Sequence, residues 1–529
     1  MNWKILIPAG FAVYFLMAMA QLAEASDTHA NFQQHCAACH GADRLGGIGP
    51  ALLPDNLARL RKPEAEKVIR EGRPATQMPA FGGKLSAEEV KALVDYAYTP
   101  IKPMPVWGEK EISASRIVSY APGSLPDKPQ FSADPMNLFV VVESGDHHVS
   151  ILDGDKLAPI HRFQSRFALH GGPKFTPDGR YVFFASRDGW ITKFDMWNLK
   201  VIAEVRAGIN TRNAAVSGDG KWVAVANYLP HSLVILDADL NLAKILPVSD
   251  KDGKTSSRVS AVYDASPRQS FVAALKDVKE VWEVSYNPKA DEIPTGMIHD
   301  FKYREGAFIP GFLNPRRSQL DDYLDDFYFT QGYDEVMGAS RNDAKSAVSG
   351  QVVNLDARKK IANLELPGMP HLGSGISWKW KDKAGQERTV MATPNLNEGL
   401  ISIIDMKTWQ TIKQIKTRGP GFFMRSHENS RYAWTDSMMS KEFKDTMQII
   451  DKETLEIVAE LKPEPGKTFA HVEFTKDGKY VLASLWEDNG ALIIYDAATL
   501  QEVKRLPMRK PVGKYNVWNK ITKSEGTSH

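Results

Sequence analysis

Apolar and polar positions along the chain fall into three regimes. From Ile5 to Ala20 almost every residue is apolar, with Lys4 before the run and Ala23-Glu24-Ala25 after it. This is the layout of an export signal, residues 1–25, cleaved after Ala25. A retained membrane anchor is the alternative, and the run falls short of the roughly 20 residues a spanning helix needs. The second regime is helical. Ala30 to Cys39 can form one helix, and Ser86 to Tyr98 a second, with Val90, Leu93, Val94 and Ala97 on one apolar face. Ser86 is placed to cap it, and Glu88 and Glu89 lie at the positive end of its dipole.

Beyond the Pro-rich stretch Pro100–Pro105 the pattern becomes short alternating strands. A turn followed by a strand recurs as Pro177-Asp178-Gly179-Arg180-Tyr181-Val182, Gly218-Asp219-Gly220-Lys221-Trp222-Val223 and Lys476-Asp477-Gly478-Lys479-Tyr480-Val481. A strand-ending Asp recurs at Asp153, Asp195, Asp237, Asp356, Asp405, Asp451 and Asp496. The intervals are 42 to 49 residues, apart from one of 119 between Asp237 and Asp356. That gap predicts a further repeat around Val281 to Ser285 plus an insertion, so seven visible repeats and one hidden one predict an all-β propeller of eight blades. The recurring Asp residues are turn chemistry and belong to the scaffold. The expected divisions are a small all-α domain over 26–100, a linker over 101–112 and the eight-bladed propeller over 113–529. A charge run at Arg316 to Asp326 is expected as an insertion, either a solvated loop or a cover for the funnel.

A chain of 529 residues is too long for one ordinary domain, which agrees with this division. Lys and Arg number 66 against 64 Asp and Glu, with no long basic block, so nucleic acid is not expected as a partner. Only two cysteines occur, in Cys36-Ala37-Ala38-Cys39-His40. This is the pattern by which two thioethers fix a haem c while the histidine ligates its iron. A thioredoxin-like dithiol would need a surrounding βαβ pattern, and a zinc site a second ligand pair. Met78, in Gln77-Met78-Pro79-Ala80-Phe81, is the one methionine between this motif and the second helix, and it is the candidate sixth ligand. A haem held by His40 and Met78 moves electrons and leaves no position for substrate, so substrate chemistry is expected in the propeller.

Three propeller histidines stand out by their neighbours. His170 precedes Gly171-Gly172, His371 lies in Gly368-Met369-Pro370-His371-Leu372-Gly373-Ser374-Gly375, and His471 opens the strand before Lys476-Asp477-Gly478. Glycines permit close approach of a planar ligand to the backbone. The chain resembles the cytochrome cd1 family, in which a cytochrome c domain precedes an eight-bladed propeller that holds haem d1. The resemblance is carried by Ala168-Leu169-His170 with Phe194-Asp195-Met196-Trp197, by Gly208-Ile209-Asn210-Thr211-Arg212, by Pro370-His371, and by Gly513-Lys514-Tyr515-Asn516-Val517. It implies His170 as proximal ligand of the propeller haem, with Arg187 and Arg212 as candidates for pairing with its carboxylates.

The family has a nitrite reductase branch and a dihydro-haem d1 dehydrogenase branch. The reductase branch uses two distal histidines. By local similarity, Asn314 in Ala307–Asn314 and Trp378 in Gly375–Trp378 stand at those positions, and neither can cycle a proton near neutral pH. The resemblance therefore implies the dehydrogenase, a periplasmic oxidoreductase of haem d1 biosynthesis. It would oxidise a propionate of dihydro-haem d1 to the acrylate of haem d1 and pass electrons to the covalent haem c. His471 and Tyr515 are then candidates for proton removal and positioning, and His371 for a second axial ligand. Ordinary blade packing is the alternative for His471 and Tyr515, and a structural role or a cofactor contact for His427. A non-catalytic haem d1 carrier is the alternative function, and a cd1-type nitrite reductase a further one. Implied partners are cd1 nitrite reductase or other haem d1 proteins as recipients, and a small periplasmic electron acceptor.

Overall fold

A computed structural model describes residues 28–47, 49–58, 60–72, 78–103, 105–296, 306–340 and 350–523. The export signal expected over 1–25 lies outside the described residues. The chain divides into two compact units, one ending at Pro105 and the other beginning at Val106.

The first unit is helical. The chain is helical up to Cys36, where its amide donates to Phe32 O, and then continues as Ala37–His40. Lys62–Glu71 and Ala87–Ala97 follow. The last helix begins in a reciprocal cap. Glu89 N donates to Ser86 Oγ at 3.1 Å, and Ser86 N donates to the Glu89 carboxylate at 2.7 Å. Its apolar face meets Phe32, Phe81 and Leu85, with Cys36, Leu52, Ile69 and Tyr96 at the edge of the same cluster.

Among the described residues, the second unit contains eight antiparallel sheets of four or five strands, plus one two-stranded hairpin. In each sheet one edge strand is an inner strand: Lys174–Phe175, Asn210–Val216, Val259–Ala265, Asp326–Phe329, Ile376–Lys381, Met424–Arg425, Phe469–Phe474 and Pro511–Asn516. The ring is closed by chain ends. Pro511–Asn516 pairs with Leu138–Glu143, so the last strand completes the first blade. Middle strands such as Val223–Ala226 and Ile401–Ile404 are buried almost throughout, because blades cover both of their faces.

Most strand-ending Asp residues do turn work. Asp153 Oδ1 accepts from the amides of Asp155 and Lys156 at 2.9 and 3.1 Å, and Asp405 Oδ1 from those of Lys407 and Thr408 at 2.8 and 3.0 Å. Asp356 does not. The strand Gly350–Asn354 ends two residues earlier, and Asn354 Oδ1 receives the amides of Asp356 and Ala357. The hidden blade is present, with Glu280–Ser285 as its third strand. Its insertion is not the charge run. Pro315–Gln319 is that blade's outermost strand and Asp326 starts the next blade, so the added chain lies between Ser285 and Pro315 and carries the hairpin Ile293–Pro294 with Phe308–Ile309. The expected linker over 101–112 also extends too far. Trp107 Nε1 donates to Arg206 O at 2.8 Å, and the helix Glu109–Ser115 buries Ile112 in the cluster that holds Val205 and Leu240. Among the described residues no helix is long and apolar enough to cross a membrane.

Candidate functional site

In the helical unit, Cys36 and Cys39 stand three residues apart and form no disulfide. Burial, with Cys39 close by, pushes the Cys36 thiol up to about 11. His40 Nδ1 lies 2.8 Å from Pro50 O. A carbonyl can only accept, so Nδ1 carries the hydrogen and Nε2 keeps its lone pair. Burial holds the ring's pKa below the usual histidine value, which favours the neutral, ligating form. Met78 is half-buried, and the chain after it runs back along the helix Lys62–Glu71, with Phe81 N donating to Ile69 O. Paired thiols, an oriented imidazole and an apolar wall of Phe32, Leu52 and Phe81 fit a covalent haem c.

In the propeller, the inner strands and the segments leading into them place side chains around one ring. Tyr515 packs on Gly172, where a Cβ would stand 3.1 Å from its ring, so a residue with a side chain would push the phenol away. Tyr515 meets His471 at 5.5 Å between centroids, and His471 meets Phe423 at 4.6 Å. Phe423 meets Phe422 at 4.5 Å, and Phe422 meets His371 at 4.3 Å. His371 Nε2 lies 3.7 Å from Asp326, whose Oδ1 accepts from the Tyr263 hydroxyl at 3.0 Å. Lys174 Nζ sits 5.6 Å over the Tyr263 ring, two residues from Gly172, and the circuit closes.

His170 stands on this ring with its Nδ1 2.7 Å from Arg212 O, so its Nε2 also keeps the lone pair. Arg187 Nη2 and Arg212 Nη1 both lie 3.0 Å from that Nε2. Two guanidinium groups thus converge on a nitrogen able to bind iron, where planar cations can serve carboxylates. His371 repeats the device, with Nδ1 2.9 Å from Phe422 O. His170, His371, Arg187, Arg212, His471 and Tyr515 therefore share one ring, although they come from blades far apart in sequence.

His471 differs from the other two imidazoles. It sits at a bulge in Phe469–Phe474, between Ala470 and Val472, and has a φ of +50°. A non-glycine residue in that conformation is strained, and a bulge re-aims its side chain. Its Nδ1 faces Lys514 Nζ at 3.3 Å rather than a carbonyl. Burial, with Lys514, Arg425 and Lys520 nearby, drives its pKa well below the usual value, so the ring is neutral near pH 7 and keeps a lone pair able to accept a proton. Burial pushes Tyr515 up to about 12, keeping the phenol protonated. Lys174 falls to about 8 for the same reason, with Lys523 and Arg425 adding to the shift. A cavity of about 300 Å³ lies at Lys174, Tyr263, Lys520 and Lys523. A larger one of about 450 Å³, by Tyr181 and Asp239, is far from this chemistry, and its Lys193 is already paired with Asp239 at 2.8 Å.

Three positions leave the ring. His427 accepts the Asn429 amide on Nδ1 and packs against Phe474, a structural role. Asn314 bonds Lys244 Nζ at 2.7 Å beside an outermost strand, and Trp378 is packed between two blades with its Nε1 on Lys452 O. The distal-histidine comparison at Asn314 and Trp378 therefore fails, since neither side chain belongs to the ring. Sequence reasoning also missed Asp326, Tyr263, Phe422, Phe423 and Lys514. Of these, only Lys514 carried a signal, as the one charged residue between Lys510 and Lys520.

A haem-attachment motif in a helical unit, followed by a propeller ringed with lone-pair imidazoles and guanidinium groups, defines a haem-binding cytochrome–propeller protein. The family model described as Cytochrome D1 heme domain matches residues 133–520, and that described as Cytochrome C oxidase, cbb3-type, subunit III matches residues 23–96. The chain belongs to the cytochrome d1 family, in the branch of the dihydro-haem d1 dehydrogenases. A dihydro-haem d1 dehydrogenase from Pseudomonas aeruginosa is 54% identical over 522 residues, covering 98% of this chain and 99% of that protein. A nitrite reductase from Stutzerimonas stutzeri is 24% identical over 538 residues, covering 92% of this chain and 91% of that protein. A solved structure described as dihydro-heme d1 dehydrogenase NirN in complex with DHE matches with a TM-score of 0.85 at 54% identity, covering 93% of this chain and 99% of that chain.

Proposed function

We propose that the chain is a dihydro-haem d1 dehydrogenase of haem d1 biosynthesis, converting a propionate side chain of its substrate to an acrylate. The observation that carries this reading is the pairing of His471 with Tyr515 on the ring, one a neutral base and the other a protonated phenol. Removing two hydrogens from neighbouring carbons requires a base beside an immobilised substrate. His170 and His371 would hold the substrate's iron from their Nε2 atoms, each fixed by a carbonyl on Nδ1. Arg187 and Arg212 would fix carboxylates, and Phe422 and Phe423 supply an apolar wall between His371 and His471. His471 takes a proton from the side chain, while Tyr515 positions it. Cys36, Cys39, His40 and Met78 would hold haem c, which would supply one-electron acceptance.

The same reading places the protein in the periplasm. A small electron acceptor would receive the electrons there, and a nitrite reductase or another haem d1 protein would be the recipient of the product. Variants test the assignment of the chemistry. His471→Ala and Tyr515→Phe should bind the substrate porphyrin as tightly as the parent, followed by visible titration, while conversion falls by roughly 10²-fold or more. Parent-like conversion by both variants would move the chemistry away from these residues. Tight binding by the parent without any conversion would leave a haem d1 carrier.

A further inference from the structure

Lys514 is fully buried on the inner strand Pro511–Asn516, next in sequence to Tyr515. Its Nζ touches one residue, donating to His471 O and lying 3.3 Å from His471 Nδ1. Among the described residues no carboxylate stands within ion-pair distance of it. A buried ammonium without a counter-ion costs several kcal/mol, which a neutral amine avoids. Burial accordingly lowers its pKa well below the lysine value, with Glu473, Arg425 and Asp436 as the charged groups that face it. The tautomer of His471 then becomes decisive. To accept a proton on Nε2, the ring must carry hydrogen on Nδ1, and that hydrogen needs an acceptor. Among the described residues, the ring's hydrogen-bond partner is Lys514 alone.

We infer that Lys514 acts as a neutral amine behind His471, setting its tautomer and receiving its Nδ1 proton as the substrate's proton arrives on Nε2. The inference rests on His471 being the base. In this step the substrate C–H bond breaks and the proton forms N–H on Nε2. The Nδ1–H bond breaks in turn, and Nζ becomes an ammonium. The electron pair stays on the substrate and leaves, together with a second proton from the neighbouring carbon, in the two-electron oxidation already assigned to the protein. His471 remains neutral throughout, so no charge is left on a ring that burial and the nearby Arg425 guanidinium oppose. Lys514 touches no reacting atom in this scheme and is a positioning and relay residue. Buried Glu473 and Asp436 are the anions able to stabilise the ammonium once formed.

The test uses the full haem-loaded chain, dihydro-haem d1 as probe and single-turnover rates. Lys514→Gln keeps a donor for His471 O but has no basic nitrogen, whereas Lys514→Met removes both. Both variants are expected to bind the probe as the parent does and to turn over about 10²-fold more slowly. The substrate's C–H hydrogens do not exchange with solvent, so slowing of the parent's bond-breaking step in D2O reports the second proton. That slowing should be present in the parent and lost in Lys514→Gln. Parent-like turnover by Lys514→Gln, or a parent rate indifferent to D2O, would overturn the relay. The D2O measurement decides the matter even if neither variant folds. Undiminished turnover by His471→Ala would instead sink the underlying base assignment, whatever Lys514 does.

Discussion

Substitution of Gly172 by Ala tests the ring directly, because the cost can be worked out in two parts. Gly172 has a φ of +69°, and alanine in the left-handed region costs about 1–2 kcal/mol. The new Cβ would also stand 3.1 Å from Tyr515 Cε1 and 3.3 Å from its hydroxyl oxygen, tighter than ordinary contact, so the phenol must yield by a few tenths of an ångström. Gly123 isolates the first part. Its φ is +73°, and a Cβ there meets nothing within 4 Å. Both variants should lower the melting temperature by similar small amounts, since about 1–2 kcal/mol is a fraction of the 5–15 kcal/mol of a typical domain. They should part in catalysis. Displacement of a positioned group by around an ångström costs about 10²-fold, and a few tenths should cost up to tenfold. Gly172→Ala is therefore expected to turn over several-fold more slowly than Gly123→Ala, measured by chromatography of extracted porphyrin after a single turnover. Equal rates in the two variants would refute the idea that Tyr515 works from this cradle.

Other consequences follow from the same geometry. His471 must be neutral to act, and its pKa lies well below the usual value, so turnover should stay level as pH falls from about 7.5 to 6.5. An acid limb centred at 6.5 or above would contradict this. Burial raises the Asp436 carboxyl to about 6, so the folded chain keeps a proton there that the unfolded chain has lost. Stability should then fall as pH rises from about 4 to about 6, by roughly 3 kcal/mol from this group. Asp436→Asn should lack that decline in melts recorded across the window, although it weakens the acceptor for the Phe422 and Phe423 amides. Replacing Arg187 or Arg212 by Lys removes a planar donor, and porphyrin binding should weaken by about 1.5–3 kcal/mol, roughly ten- to hundredfold in Kd by visible titration.

Local chemistry was legible in the sequence wherever neighbours in the chain are neighbours in space. Cys36, Cys39 and His40 define their own site, Ser86 and Glu89 their own cap, and Asp153 or Asp405 their own turns. The blade count followed from the same turns. What failed did so for physical reasons. Asp356 looked like the recurring turn residue because Asn354, two positions earlier, does the same hydrogen bonding with an amide oxygen. The charge run at Arg316–Asp326 looked like a loop because an outermost strand with one wet face tolerates Arg316 and Arg317. Asn314 and Trp378 sit in segments similar to those of the reductase branch, but which way a side chain faces is set by pairing and register. The ring itself was only partly visible. His170, His371, His471 and Tyr515 drew notice through glycines and the family resemblance, whereas Asp326 and Lys514 gain meaning only when strands more than forty residues apart converge.

The most direct test of the central claim mixes the haem-loaded chain with dihydro-haem d1 without oxygen. The covalent haem's visible bands are followed, and the extracted porphyrin is weighed by mass spectrometry. The account predicts a porphyrin lighter by two hydrogens, appearing as the covalent haem becomes reduced. Tight binding with unchanged mass, repeated with an external electron acceptor present, would contradict it.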